Sequence, residues 1–335
     1  MESGEEAAVL KEPTNPADES EELVELPPGL GDHQIGEAAE VFAGLPDRLS
    51  VEEYNYDHFR RGHLIADIRR TMERRGVAPG QYTWDFTLPQ ASGGWLRLDN
   101  LRGTPVLLHF GSYTCPASIG TVEPLKKLYA RWGARVAFVD VLVRQAHPGP
   151  GAPAYQSDDQ KLEDARRYQQ EEGIPWPVLA DDLAGTVHQV YGMLPNATYL
   201  IDVDGRIAFY NMWTHAPTLT AALEQLFRQD CRGVVGDGYD RVIHLWPALT
   251  VGWRGIERGL PDSYRDLQRA VPGSGSLLRL GYRMRPLLAP MTLRTTTTPM
   301  PVRAGLIAGV AVASLLAVGR SRMQSGAKDD RRDDS

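Results

Sequence analysis

Apolar positions along this chain change period twice. From residue 54 they recur as Tyr54, Phe59, Leu64, Ile65, Ile68 and Met72, with Arg60, Arg61, Arg69, Arg70, Arg74 and Arg75 between them. That is the spacing of a helix with one apolar stripe. Ser50 followed by Glu53 makes a capping box for its start, and Gly76 a stop. The stripe is expected to pack on the domain that follows, leaving the arginines as a solvated face.

From Gly80 the period shortens to two. Residues 82–88 alternate as a strand, Gly93-Gly94 turns the chain, and residues 95–98 return. Residues 105–110 are a continuous apolar run, as a strand buried on both faces would be. Residues 122–132 are helical in pattern, and 135–143 are a second buried strand. A helix at 158–172, a short strand at 176–179 and a helix at 183–191 follow. Residues 197–201 and 206–212 pair about the turn Asp202-Val203-Asp204-Gly205, and a helix at 219–227 closes the unit. The order β-β-β-α-β-α-β-α-β-β-α predicts an α/β fold with a mixed sheet flanked by helices.

The flanks differ in composition. Residues 1–45 are rich in Glu, Pro, Gly and Ala without a period, which predicts an acidic disordered tail, with an acidic docking arm as the alternative. Residues 46–79 hold the first helix, and 80–230 the α/β unit. Residues 231–300 form a basic helical extension of unassigned role. Within it, Leu277-Leu278-Arg279-Leu280-Gly281-Tyr282-Arg283-Met284-Arg285-Pro286-Leu287-Leu288 is basic and amphipathic, suited to an anionic membrane surface or to packing on the domain. Residues 304–319 are uncharged between Arg303 and Arg320. As a helix they span about 24 Å against a hydrocarbon core of roughly 30 Å. Gly305, Gly309 and Ala313 recur at the spacing that lets membrane helices approach. The expectation is a membrane helix within 301–320, with a buried helix as the alternative, followed by a polar tail at 321–335.

The net charge of −7 argues against a nucleic-acid partner. Two cysteines, Cys115 and Cys231, are too few for a disulfide framework or a four-cysteine zinc site, and no metal site is expected. The first residues carry neither a basic nor an apolar signal region, so a reducing cytoplasm is expected, with anchoring through 304–319.

Cys115 stands out by position. In Phe110-Gly111-Ser112-Tyr113-Thr114-Cys115-Pro116 it lies where the buried strand hands over to the next helix. Unpaired N–H groups and the positive dipole end of a helix stabilise a thiolate, so its pKa is expected to fall. Pro116 suits the first helical turn. The alternative is a small buried hydrophobe, as most free cysteines are.

These residues, with Gln145-Ala146-His147-Pro148 and Tyr191-Gly192, resemble the iodothyronine deiodinase family of the redoxin superfamily. That family has selenocysteine where Cys115 stands and a Glu where Gln145 stands. The resemblance implies a thioredoxin-like fold. It also implies a redox role for Cys115, with Ser112 and Thr114 donating hydrogen bonds to the thiolate and His147 as general acid or base. Reductive dehalogenation of a halogenated phenol is one implied activity. Peroxiredoxins, by comparison, place Pro seven and Thr or Ser three residues before the cysteine, and here Leu108 and Ser112 occupy those positions. Thiol peroxidase chemistry is therefore a second reading, and a non-enzymatic module docked at a membrane a third.

Ser118 stands where a Cys-x-x-Cys motif would have its second thiol, so no local dithiol is available. Oxidised Cys115 then needs an external thiol of glutathione or thioredoxin type, or Cys231, as its resolving partner. The expected partners are a small-molecule substrate and a thiol donor, with no bound cofactor and with a homodimer allowed.

Overall fold

The computed structural model describes residue 45 and residues 47–296. Nearly all of the acidic tail 1–45, the run 304–319 and the polar tail 321–335 lie outside the described residues. Among the described residues no helix is long and apolar enough to cross a membrane.

Ser50 caps α1 (Val51–Tyr54) as the capping box predicts: its Oγ accepts from Glu53 N–H at 3.2 Å and its own N–H donates to Glu53 Oε2 at 2.9 Å. The single helix expected here is broken, however. Asn55 Nδ2 donates to Val51 O and, at 2.6 Å, to Leu183 O, which turns the chain before α2 (Arg61–Glu73). The left-handed cap is Arg74 (φ 55°), two residues before Gly76. The apolar stripe of α2 also faces the wrong way. Asp67 and Thr71 are buried while Ile65, Ile68 and Met72 are exposed. Polar partners explain the inversion, because Thr71 Oγ1 receives the Trp213 indole N–H at 3.0 Å and Asp67 pairs with Arg70 at 2.9 Å.

The α/β unit follows the predicted order. A small hairpin of β1 (Thr87–Pro89) and β2 (Trp95–Arg97) comes first. Then come β3 (Val106–Gly111), α3 (Pro116–Trp132), β4 (Ala137–Leu142), α4 (Asp158–Glu172), β5 (Val178–Ala180), α5 (Thr186–Val190), β6 (Ala197–Ile201), β7 (Ile207–Asn211) and α6 (Ala216–Arg228). With β8 (Tyr239–Asp240) the main sheet has the order β5-β4-β3-β6-β7-β8. β3, β4 and β5 are parallel; β6 runs antiparallel to β3, and β7 antiparallel to β6. This is the thioredoxin-like mixed sheet flanked by helices.

Alternation along the strands builds two apolar layers. Leu107, Phe138, Leu142, Leu200 and Ala208 join α3, α4 and α6 on one face. Val106, Leu108, Phe110, Val139, Val141 and Tyr199 fill the other, with Tyr191 and Phe86. Every residue of β3 is buried, as its continuous apolar run requires.

Among the described residues the C-terminal extension holds five short helices: α7 (Trp246–Val251), α8 (Trp253–Arg258), α9 (Asp262–Ala270), α10 (Ser274–Arg283) and α11 (Arg285–Thr292). They meet the N-terminal segment in a third apolar cluster of Phe59, Trp253, Ile256, Leu267 and Leu278. The basic amphipathic stretch therefore packs inward in part, through Leu278 and through Gly281 against the Leu249 carbonyl, while Leu277, Leu280 and Leu287 stay exposed.

Candidate active site

Cys115 is the N-cap of α3 and Pro116 its first residue, as the sequence implies. Its N–H donates to Ser112 O and its carbonyl receives Ile119 N–H. Yet the thiol is only 4% exposed. The cause is the C-terminal extension. Helix α7 lies on Gly120 of α3, where an added Cβ would meet Ala248 N at 2.6 Å. At Gly255 of α8 an added Cβ would meet Thr114 O at 3.1 Å and the Cys115 carbonyl carbon at 3.2 Å. Arg258 fastens this roof: it donates to Tyr113 O at 2.8 Å, to Glu171 at 2.8 Å and to Glu172 at 2.7 Å, and Arg254 reaches Glu172 at 2.6 Å.

Burial reverses the expected thiol chemistry. It pushes the Cys115 pKa up, against the lowering pull of the Ser118 and Ala117 backbone N–H groups and the Ser118 hydroxyl. The Ser118 hydroxyl named among these causes donates its one proton to Pro195 O and accepts from Ser112 N–H. Ser112 and Thr114 do something else. Ser112 Oγ accepts from Ala146 N–H at 3.0 Å, and Thr114 Oγ1 accepts from His147 N–H at 3.0 Å while donating to Gln145 Oε1. Both hydroxyls hold the loop that carries His147. Gln145 Nε2 in turn donates to Tyr155 Oη and Asp164 Oδ2, so the amide satisfies three partners that a carboxylate at this position could not.

His147 is buried with its ring 4.3 Å from that of Phe59, and its Nδ1 finds no hydrogen-bond partner among the described residues. Burial first, and His63 second, depress its pKa to about 3. The imidazole is neutral at pH 7 and a weak base, so the depressed pKa works against the expected acid-or-base role. His63, stacked on Tyr56 at 3.8 Å, is likewise lowered to about 4, chiefly by burial and by Arg144. Arg144 itself is buried, 4.9 Å from the Tyr54 ring centre and 5.3 Å from that of Tyr56, with Nε and Nη1 lacking hydrogen-bond partners among the described residues. The Tyr56 hydroxyl lies in the fields of both Arg144 and Cys115. Asp67 has its carboxyl raised by burial despite Arg144 and Arg70.

The sequence reading missed two groups outright. Under the cysteine, His109 Nδ1 bonds Asp140 Oδ1, and His109 Nε2 lies 3.1 Å from Asn196 Oδ1, which also receives Thr121 Oγ1. Burial opposes charge on His109, but Asp140 wins and its pKa is raised. His109 hides inside an apolar run, and only strand pairing with Asp140 exposes its role. The other group is His215, Asp240 and His244, whose ligand atoms lie within 4.8 Å of one another. The sequence, from which no metal site is expected, does not point to this cluster. Asp240 and His244 stand four residues apart, but His215 lies well before them and only the fold joins it to the pair.

Cys231 does not join the site. Its carbonyl accepts from Val203 N–H in the β6–β7 turn. That turn lies beyond Ile201, which pairs with Val106 at the start of β3, whereas Cys115 follows the end of β3. Five residue steps of about 3.3 Å each separate the two ends, and a disulfide needs Cα atoms about 4.4–6.8 Å apart. A resolving bond from Cys231 to Cys115 of the same folded chain is therefore excluded.

Residues 79–210 match the AhpC/TSA family. Among curated proteins the chain is similar to the thyroxine 5-deiodinase of Sus scrofa, at 26% identity over 146 residues. The match covers 40% of this chain and 46% of that protein, so the chain spans just under half of that relative's length. Among solved structures it is similar to a peroxidoxin from Mycobacterium tuberculosis (21% identity, TM-score 0.36, 45% of this chain and 98% of that one). A thiol-disulfide oxidoreductase from Bacteroides fragilis is also similar (18% identity, TM-score 0.35, 44% and 99%). The sheet topology and the AhpC/TSA match make residues 79–210 a thioredoxin-like domain of the redoxin kind.

Proposed function

We propose that this chain is a thiol-dependent oxidoreductase with Cys115 as its single redox residue. The observation that supports the reading most is the cysteine's place: N-cap of α3 at the carboxyl end of a central parallel strand, with Ser118 where a second thiol would stand. A neutral imidazole with an unpartnered Nδ1 lies on the adjoining loop, held there by the Thr114 hydroxyl.

The chemistry is a two-electron reduction. The Cys115 sulfur attacks an electrophilic atom X of a substrate R–X. The R–X bond breaks, S–X forms, and R leaves with the electron pair and takes up a proton as R–H. A first external thiol displaces HX and leaves a mixed disulfide on Cys115. A second external thiol then restores the Cys115 thiol and is released within a disulfide. Two external thiols of glutathione or thioredoxin type are oxidised for each substrate reduced, and no bound cofactor is needed.

The same scheme serves two substrate classes. Reductive dehalogenation of a halogenated phenol, X being the halogen, is supported by the Phe110–Pro116 and Gln145–Pro148 motifs and by the likeness to the deiodinase. Peroxide reduction, X being hydroxyl, is supported by the AhpC/TSA match. A thiol-coupled turnover panel of peroxides, disulfides and halogenated phenols, run beside Cys115→Ser, separates them. Turnover of one class that is lost in the variant supports the reading. Equal rates for parent and variant on every substrate would sink it.

A further inference from the structure

The cluster His215, Asp240 and His244 lies apart from the thiol chemistry. His215 caps the start of α6, Asp240 ends the edge strand β8, and His244 sits on the loop that leads to α7. The two imidazoles stack with ring centres 3.6 Å apart and planes 4° from parallel. His244 Nε2 is 3.1 Å from Asp240 Oδ2, and His215 Nδ1 is bonded to Thr218 Oγ1 at 2.8 Å, which fixes its ring. Asp240 is oriented from two more directions, by Asn211 Nδ2 at 3.1 Å and by Val242 N–H at 3.0 Å.

We infer that these three side chains form a binding site for a divalent transition-metal ion of the zinc type. Two neutral imidazoles and one carboxylate are a donor set that zinc accepts, and three protein ligands leave a fourth position open. A tetrahedral ion with bonds of about 2.0–2.1 Å holds its ligand atoms roughly 3.4 Å apart. The three ligand atoms already lie within 4.8 Å, and binding requires the two rings to turn out of their parallel stack so that their lone pairs converge. The His244–Asp240 bond is then replaced by two bonds to the ion, with loss of the proton they share. Oriented ligands are a mark of real sites, and Thr218, Asn211 and the Val242 N–H supply that orientation.

What lies next to the cluster says what the open position is for. His215 and His244 both line a cavity of about 500 Å³, whose other walls include Val242, Ile243, Leu245, Trp246 and Met291. Of these, Val242, Ile243, Leu245 and Trp246 are exposed in spite of their apolar character. An ion held here presents its open position to an apolar chamber. That suits a small ligand with one donor atom and an apolar body.

The test uses the full chain carrying Cys115→Ser and Cys231→Ser, so that neither thiol can ligate. After chelator treatment it is titrated with Co²⁺, followed by visible absorption, and with Zn²⁺ by equilibrium dialysis. One equivalent per chain is expected. His244→Ala and Asp240→Asn are each expected to weaken binding roughly 100-fold or more, with an unchanged far-ultraviolet circular dichroism spectrum without metal. Added Zn²⁺ should raise the melting temperature of the parent and leave that of Asp240→Asn where it was. Less than a tenth of an equivalent on the parent overturns the proposal. So does a folded Asp240→Asn that binds as tightly as the parent, since the triad would then be only a hydrogen-bonded strut between β8 and α6.

Discussion

The two ends of the central sheet carry one cysteine each and are finished in opposite ways. At the carboxyl end of β3, Cys115 begins a helix on which α7 and α8 of the C-terminal extension lie. At the far end, Cys231 follows α6 in a left-handed conformation (φ 59°), half-buried, beside an exposed Arg232–Asp204 pair. Helix-start geometry that should activate a thiol is thus combined with burial that suppresses it. The redoxin unit sets where the sulfur is, and the extensions set whether anything reaches it.

The largest test of that contrast is to remove each sulfur. Cys115→Ser is expected to lower thiol-coupled turnover by at least about a thousandfold, as loss of a nucleophile does. Cys231→Ser should leave turnover within about twofold of the parent, as substitutions far from the chemistry do. A matching loss from Cys231→Ser would mean that the far end takes part, through a second chain or a large rearrangement.

Next in size is the roof itself. Arg258 is largely buried and holds Tyr113 O, Glu171 and Glu172 at once. Arg258→Ala removes those bonds, while Arg254 still pairs with Glu172. Stability should fall by about 2 kcal/mol, read from urea denaturation midpoints. Iodoacetamide should alkylate Cys115 at least about tenfold faster, because local opening governs access. An unchanged alkylation rate, with stability lowered, would show that reagents enter elsewhere.

The roofed end also carries the pH response. His147 and His63 have folded pKa values of about 3 and about 4, below their ordinary value. Each is neutral in the native state, so the stability it contributes is intact above about pH 6.5. That stability is lost as pH falls toward 4, where the unfolded chain binds the proton more readily. His109 has the opposite sign: its raised pKa contributes below about pH 6.5 and is lost as pH rises through the folded value. Melting curves between pH 7 and 4.5 should fall steeply. His147→Gln should reduce the slope by about 1.4 kcal/mol per pH unit, one proton's worth. An unaltered slope would place the His147 ring in water.

The strand and helix order was readable because its signal is local. The apolar run into Gly111, the Pro116 start and the Asp202–Gly205 turn each announce themselves within a few residues. The site was readable only as a position. That Cys115 caps α3 follows from its neighbours, but its burial depends on Gly255, 140 residues away in sequence, lying on Thr114 and Cys115. The stripe of α2 misled because periodicity reports which residues share a face and not which face turns inward. Asp67 and Thr71 are inside because Trp213 and Arg70 meet them there. His215 has no spacing that ties it to Asp240 and His244, since β8 and the start of α6 are joined only in the folded sheet. Ser112 and Thr114 were assigned to the sulfur because they adjoin it in the chain, whereas one turn of helix brings Ser118 to it instead.

That last substitution of roles gives the smallest effect and the finest cut. Ser118 Oγ donates to Pro195 O and accepts from Ser112 N–H, and its nearness to the sulfur lowers the thiol pKa. Ser118→Ala should raise the thiol pKa and slow iodoacetamide alkylation at pH 7.5 by about threefold, the effect of losing one hydrogen bond to the charged form. In the closed protein the effect is partly hidden, because burial dominates the pKa of Cys115. In an Arg258→Ala background the burial penalty is relieved and the same hydroxyl matters more, so the two substitutions should not add. A larger Ser118 effect in the opened protein than in the closed one ties thiol activation to the roof. Equal effects in both would mean that helix start and roof act independently, and that the two ends of the sheet differ in access alone.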